Sequence, residues 1–169
     1  MELEELVDIV ETMALQHAYP GFDVRSLTLG LPAGAITSTA KLFRSALTHP
    51  NALVKLAALR WFWDKPALIP QSLKVIVACM DDGDEWVRLE AVRTIGRCRR
   101  VEPAVAIAVS KRLEDSSDAV RTEAAHAAWK LGCQDETVIA ALHKAAGDAC
   151  IEVKWKAEKA LRKLGAYKE

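Results

Sequence analysis

The sequence predicts an all-α protein: a right-handed α-solenoid of about four helix pairs, preceded by an N-terminal capping helix. Three observations carry this. A valine followed by a basic residue recurs every 33 positions, at Val54-Lys55, Val87-Arg88, Val120-Arg121 and Val153-Lys154. Two apolar columns keep the same register, Ala58, Ala91, Ala124 and Ala157 in one and Phe62, Ile95, Ala128 and Leu161 in the other. Asp82, Asp115 and Asp148 stand six positions before Arg88, Arg121 and Lys154. Self-similarity at a period of about 20–50 residues marks units that cannot bury an apolar face alone and share one core by stacking.

Composition sets the bounds. With 169 residues and 51% apolar content, one short array with a continuous core is expected. The 23 basic and 23 acidic residues cancel, but unevenly. Residues 1–34 carry six acids against Arg25, a net of −5, which leaves +5 for the remainder. The acidic start is unlike a signal peptide and no apolar run approaches the ~18 residues of a membrane span, so a soluble, cytoplasmic protein with no membrane partner is expected. Cys79, Cys98, Cys133 and Cys150 form no CxxC pair and no zinc-type spacing, so reduced, packed thiols and no metal are expected. Cys150, in an inter-helix loop, is the one most open to reaction.

Taken in order, residues 2–17 place Leu6, Ile9, Val10, Met13 and Ala14 on one face and acids on the other, the pattern of an amphipathic helix covering the first unit. The rest of the 1–34 leader, broken by Gly30, Pro32 and Gly34, reads as an irregular loop. The array spans 35–169, with units at about 35–64, 66–97, 101–132 and 135–165. Prolines at helix starts (Pro50, Pro66, Pro103) and glycines just past helix ends (Gly132, Gly165) agree with that division.

The units resemble short HEAT-like repeats: an apolar end to the first helix, a turn Asp, then Val-Arg-x-x-Ala-x-x-x-Leu-Gly. The flavour is similar to the bacterial form named for phycobilisome lyases. That resemblance implies a ladder between successive repeats built from Asp82/Arg88, Asp115/Arg121 and Asp148/Lys154, with His49/Lys55 departing from the pattern in the first unit. Ankyrin repeats share the period, but their Thr-Pro-Leu-His turn is missing.

Chemistry-bearing motifs are few. The four histidines lack HExxH spacing, and there is no GxSxG, Walker or GxGxxG loop, so a non-enzyme without cofactor is expected. Asp81, Asp82 and Asp84 look like part of a calcium loop without its closing Glu; helix capping and the ladder account for them. The aromatic run Trp61-Phe62-Trp63 cannot all face one core, so one ring should approach the surface. Trp86, Trp129 and Trp155 are spread through the other second helices.

Second helices line the concave side of such arrays. Six positions after the valine stand Arg60, Arg93, His126 and Lys159; ten after stand Asp64, Arg97, Lys130 and Lys163. With Arg99 and Arg100 these suggest a basic stripe, partly offset three positions after the valine by Glu90 and Glu123. Trp63, Trp129 and Trp155 lie beside it. The expected function is a scaffold or adaptor that binds an acidic protein surface there. Two alternatives rest on resemblance, a phycobilin lyase-type subunit and a nucleic-acid-binding, glycosylase-like protein.

Overall fold

The computed structural model describes residues 2–8, 36–98 and 101–167. Helices follow one another in pairs: α1 (Ile36–Ala46) and α2 (Ala52–Trp63), α3 (Ile69–Ala78) and α4 (Glu85–Ile95), α5 (Pro103–Lys111) and α6 (Asp118–Leu131), α7 (Glu136–Ala145) and α8 (Ile151–Leu164). Short 3-10 turns at Pro66–Leu68, Cys79–Asp81 and Arg112–Glu114 tighten the connections, and no strand occurs among the described residues. This is an α-solenoid.

Local chemistry starts and stops the helices. The Asn51 side chain accepts the Leu53 amide at the head of α2, and Asp84 accepts those of Trp86 and Val87 at the head of α4. These amides have no partner within the helix, so the caps remove a desolvation cost. Pro103 opens α5, whereas Pro50 stands one residue before the Asn51 cap and not in the first turn of α2. Gly132 and Gly165 close α6 and α8 in the left-handed conformation, at φ 64° and 68°, where a side chain would be strained.

The three recurrent columns all point inward. Val54, Val87, Val120 and Val153 are fully buried, as are Ala58, Ala91, Ala124 and Ala157, and no residue of the Phe62, Ile95, Ala128, Leu161 column exceeds 3% exposure. Identical burial at a 33-residue translation is what a shared core requires. Each fully buried valine contributes roughly 1.5–3 kcal/mol relative to an exposed one. The second helices stack in unbroken succession, α2 on α4 on α6 on α8, while the first helices touch one another less. The first-helix side therefore splays, and the second helices line the inner side. Gly96 permits the close approach of α4 and α6: a Cβ there would come within 3.3 Å of the Ala127 Cβ.

In the leader, residues 3–8 are helical and Leu6 is fully buried in the core. The rest of the amphipathic helix expected over 2–17, the loop after it, and Arg99 and Arg100 lie outside the described residues. No helix among the described residues is long and apolar enough to cross a membrane.

Candidate functional site

The polar ladder runs along one edge of the stack. Each turn aspartate accepts the amide two residues on, Asp82 from Asp84, Asp115 from Ser117 and Asp148 from Cys150, which sets the chain up to enter the second helix. Its remaining acceptor capacity goes to a cation of the preceding unit: Lys55 to Asp82, Arg88 to Asp115 and Arg121 to Asp148. The carboxylate partner is thus 27 residues ahead. Within its own unit, Arg88 reaches only the backbone carbonyls of Asp82 and Gly83, and Arg121 those of Asp115 and Ser116. In the first unit, His49 keeps the turn role by accepting the Asn51 amide at Nδ1, 3.2 Å, and Lys55 keeps the cation role. Lys154 meets no carboxylate among the described residues, so Asp148 pairs with Arg121 alone.

Burial opposes ionisation of Asp82 and Asp115, but Lys55 and Arg88, with the turn amides, hold both carboxyls below the usual range. Hydrogen bonding from Arg121 does the same for Asp148. The two arginine rungs are bidentate and charge-assisted, which fixes geometry as well as adding energy.

The inner face carries the predominantly basic stripe expected of it together with the offsetting acids, and the acids lie against several of its cations. Arg60 lies 3.7 Å from Glu90, Arg93 lies 2.9 Å from Glu90 and 3.6 Å from Glu123, and His126 lies 3.6 Å from Glu123. Glu90 is only 5% exposed. A buried carboxylate needs paired cations, so Arg60 and Arg93 serve Glu90 before they can serve a partner. His126 adds no charge at neutral pH, because burial and the nearby Lys130, Lys156, Lys159 and Arg93 lower its pKa to about 4. Burial pushes Glu123 up, against the pull of Arg93, Lys130 and Lys156. A shallow cleft of about 320 Å³ opens here, bordered by Arg93, Thr122, Glu123, His126 and Cys150.

Toward α8 the character changes. Lys159 and Lys163, one helical turn apart, both stand 4.8 Å from the centre of the Trp129 ring. The Lys163 ammonium also donates to the Trp129 carbonyl at 2.6 Å, and His126 stacks on the same ring at 5.7 Å. Lys159 lies 5.2 Å from Trp155 and Lys156 lies 5.6 Å from it. An ammonium over an indole face keeps its charge while its stem covers apolar surface. Arg97 repeats the motif at 4.7 Å over Trp63, one cation 34 residues beyond its ring, as Lys163 is beyond Trp129. Neither Lys130, Lys159 nor Lys163 forms an ion pair among the described residues.

Of the residues expected at the site, the structure therefore gathers Trp129, Trp155, Lys159 and Lys163 into one cationic, aromatic ledge with Lys130 nearby. Arg60, Arg93 and His126 belong to a neutralised network, and Trp63 with Arg97 forms a separate pair. Lys156 joins the ledge without having been singled out. It occupies the same column as Glu90 and Glu123, and its change of sign in the last unit was the available signal. In the aromatic run, Trp61 and Phe62 are buried, Trp61 stacking on Phe43 at 4.6 Å, and Trp63 is the half-exposed ring.

Comparison with known proteins agrees on the architecture. A search of curated protein sequences returned no match. Among solved structures, a designed armadillo repeat protein in complex with the peptide (KR)4 superposes with TM-score 0.63 at 19% identity, covering 76% of this chain and 65% of that one. An engineered protein gives 0.63 at 18% identity over 96% of this chain and 78% of its own. The archaeal HEAT-like repeats protein from Thermococcus onnurineus gives 0.59 at 16% identity, over 97% of this chain and 66% of that one. At these identities the likeness speaks for fold. The family model described as HEAT repeats matches residues 39–129, more than half of the sequence, and the chain belongs to the HEAT repeat family.

Proposed function

We propose that the protein is a non-catalytic scaffold whose inner face, at its C-terminal half, binds an acidic segment of another protein. One observation carries this reading: Lys159 and Lys163 share the Trp129 ring beside a 53% exposed Trp155, with no carboxylate of the described chain neutralising them. Aromatic rings flanked by cations make anchors of the kind that dominate interfaces, since a ring contributes area at low entropic cost and the cations orient an anionic partner. The designed armadillo protein is in complex with a basic (KR)4 peptide; the ledge here is itself basic and suits an acidic one. The scaffold reading also accounts for the fold, which presents one long surface and repeats it.

Nucleic acid is less well matched. Base stacking needs open ring faces, and Trp129 already carries His126, Lys159 and Lys163. The test is binding of an acidic octapeptide, (DE)4, followed by tryptophan fluorescence in the parent and in a Lys159→Glu/Lys163→Glu variant. An absorbance change with a free bilin would instead favour the lyase-type reading.

A further inference from the structure

The end face of α8 carries a second surface, which meets the inner ledge at Trp155. In the first three units the ladder cation reaches forward to the next unit's aspartate, and Lys154 is the fourth such cation with no described carboxylate before it. The position two after the valine tells the same story. Leu56 and Leu89 are buried there, at 3% and 6% exposure, with a following second helix against them, whereas Trp155 is 53% exposed. Ile151, one turn earlier, is 75% exposed, the largest value among the large apolar side chains of the described residues. Ile151, Lys154 and Trp155 are spaced i, i+3, i+4 and so share one helix face.

The other half of that face is closed by polar groups. Glu158 and Arg162 pair at 3.2 Å, and Arg162 lies 4.3 Å over the Tyr167 ring. On the N-terminal half Lys159 and Lys156 reach Trp155 at 5.2 and 5.6 Å, but both Trp155 and Ile151 stay exposed. That half also sits on a cationic helix: α8 holds five cations against Glu152 and Glu158, a net of +3. Opposite charge is available within the same chain. Residues 2–8 contain Glu2, Glu4, Glu5 and Asp8 and no cation; all four acids are exposed, while Leu6 anchors the segment in the core.

We propose that the chain associates head to tail with itself, the Ile151-Lys154-Trp155 face of α8 receiving the acidic 2–8 segment of a second copy. A carboxylate of that segment takes the place at Lys154 that Asp115 holds at Arg88, and the segment covers Ile151 and Trp155. Tail-to-tail contact sets cations against cations and head-to-head contact sets acids against acids, so only the heterologous contact is complementary. Such a contact leaves a free head and a free tail and extends to linear chains instead of closing. A patch this small gives a weak association that salt screens.

Sedimentation equilibrium of the full chain over a wide concentration range, at low and high salt, tests this. At low salt the average mass is expected to climb above the 18.5 kDa monomer with concentration and to fall back at high salt. The tail variant Lys154→Glu and the head variant Glu4→Lys, each checked for an unchanged helical circular dichroism spectrum, are each expected to weaken association more than about tenfold. Their equimolar mixture restores association, because the acidic head of one variant meets the basic tail of the other and the two reversed charges attract in turn. A parent that stays monomeric under all conditions overturns the proposal. So does association indifferent to Lys154→Glu, or lost in that variant but untouched by Glu4→Lys, which would deny the occupant. Trp155 serves both surfaces, but the ledge is read through Lys159→Glu/Lys163→Glu in dilute protein and the end face through Lys154→Glu, so either proposal can fail alone.

Discussion

Arg88 grips Asp115 with two parallel hydrogen bonds, Nε to Oδ2 at 2.9 Å and Nη2 to Oδ1 at 2.8 Å, across the boundary between two units. Asp115 is almost wholly buried, 3% exposed at its side chain, and its partner 12%. Removing the carboxylate leaves a poorly hydrated guanidinium in α4, not in α6. Asp115→Ala should therefore destabilise the array by about 2–3 kcal/mol in urea unfolding. Lys154→Ala, in dilute protein, should shift the midpoint by less than about 0.5 kcal/mol. Equal effects of the two would show that the rungs are not what couples the units.

A second prediction concerns the approach of α4 and α6. At Gly96 even a methyl meets Ala127 at 3.3 Å, in a helix whose buried side is built from Ala124, Ala125, Ala127 and Ala128. Gly96→Leu forces the two helices apart and should cost about 2–3 kcal/mol, the usual scale of overpacking. Thermal unfolding checks it, with Gly147→Ala as a control, since the nearest neighbour of a Cβ there is its own Lys144 carbonyl at 3.4 Å.

Stability should also depend on pH in two separate windows. His126 is held at about 4 in the folded chain against about 6.5 when unfolded, so the unfolded state binds the extra proton first. Its contribution is present above pH ~6.5 and is lost as pH falls toward 4. Glu123, raised by burial, acts in the opposite sense, taking up its proton in the folded state first. His126→Gln should then leave the urea midpoint level or rising as pH falls from 6.5 to 4.5, where the parent declines. The ladder carboxyls, held low by their cations, come into play only below pH ~4, where stability is lost as they protonate. A parent whose midpoint is flat between 6.5 and 4.5 would contradict the environment assigned to His126.

How much of this was legible in the sequence follows from what repeats. The valine, alanine and Phe/Ile/Ala/Leu columns could be read because translation by one unit places each residue in the same environment, and the structure buries all of them. The direction of the ladder could not: six residues separate Asp115 from Arg121 in the chain, yet the carboxylate meets Arg88, since only the stacking of units brings a turn against the preceding helix. The pairing of the inner-face charges was only partly legible for a related reason. Glu90 and Glu123 were visible as an offset, but how deeply Glu90 is buried between Arg60 and Arg93 depends on how tightly α2, α4 and α6 nest. The small residues Gly96 and Ala127 set that distance. Trp129 could be found as an aromatic near a basic column, while its sharing by Lys159 and Lys163 required the fourth unit's position on the third.

Two octapeptides of opposite charge, offered to the same surface, test the proposed binding of an acidic protein segment by Trp129, Trp155, Lys159 and Lys163. Titrated with tryptophan fluorescence at two salt concentrations, (DE)4 should bind and lose affinity as salt rises, while (KR)4 leaves the signal unchanged. Lys159→Glu/Lys163→Glu should weaken (DE)4 by more than tenfold, about 1.4 kcal/mol, with Arg60→Gln changing it little because Glu90 already occupies that cation. Binding of (KR)4 in preference to (DE)4, or (DE)4 affinity that survives reversal of both lysines, would rule out an acidic partner at this ledge.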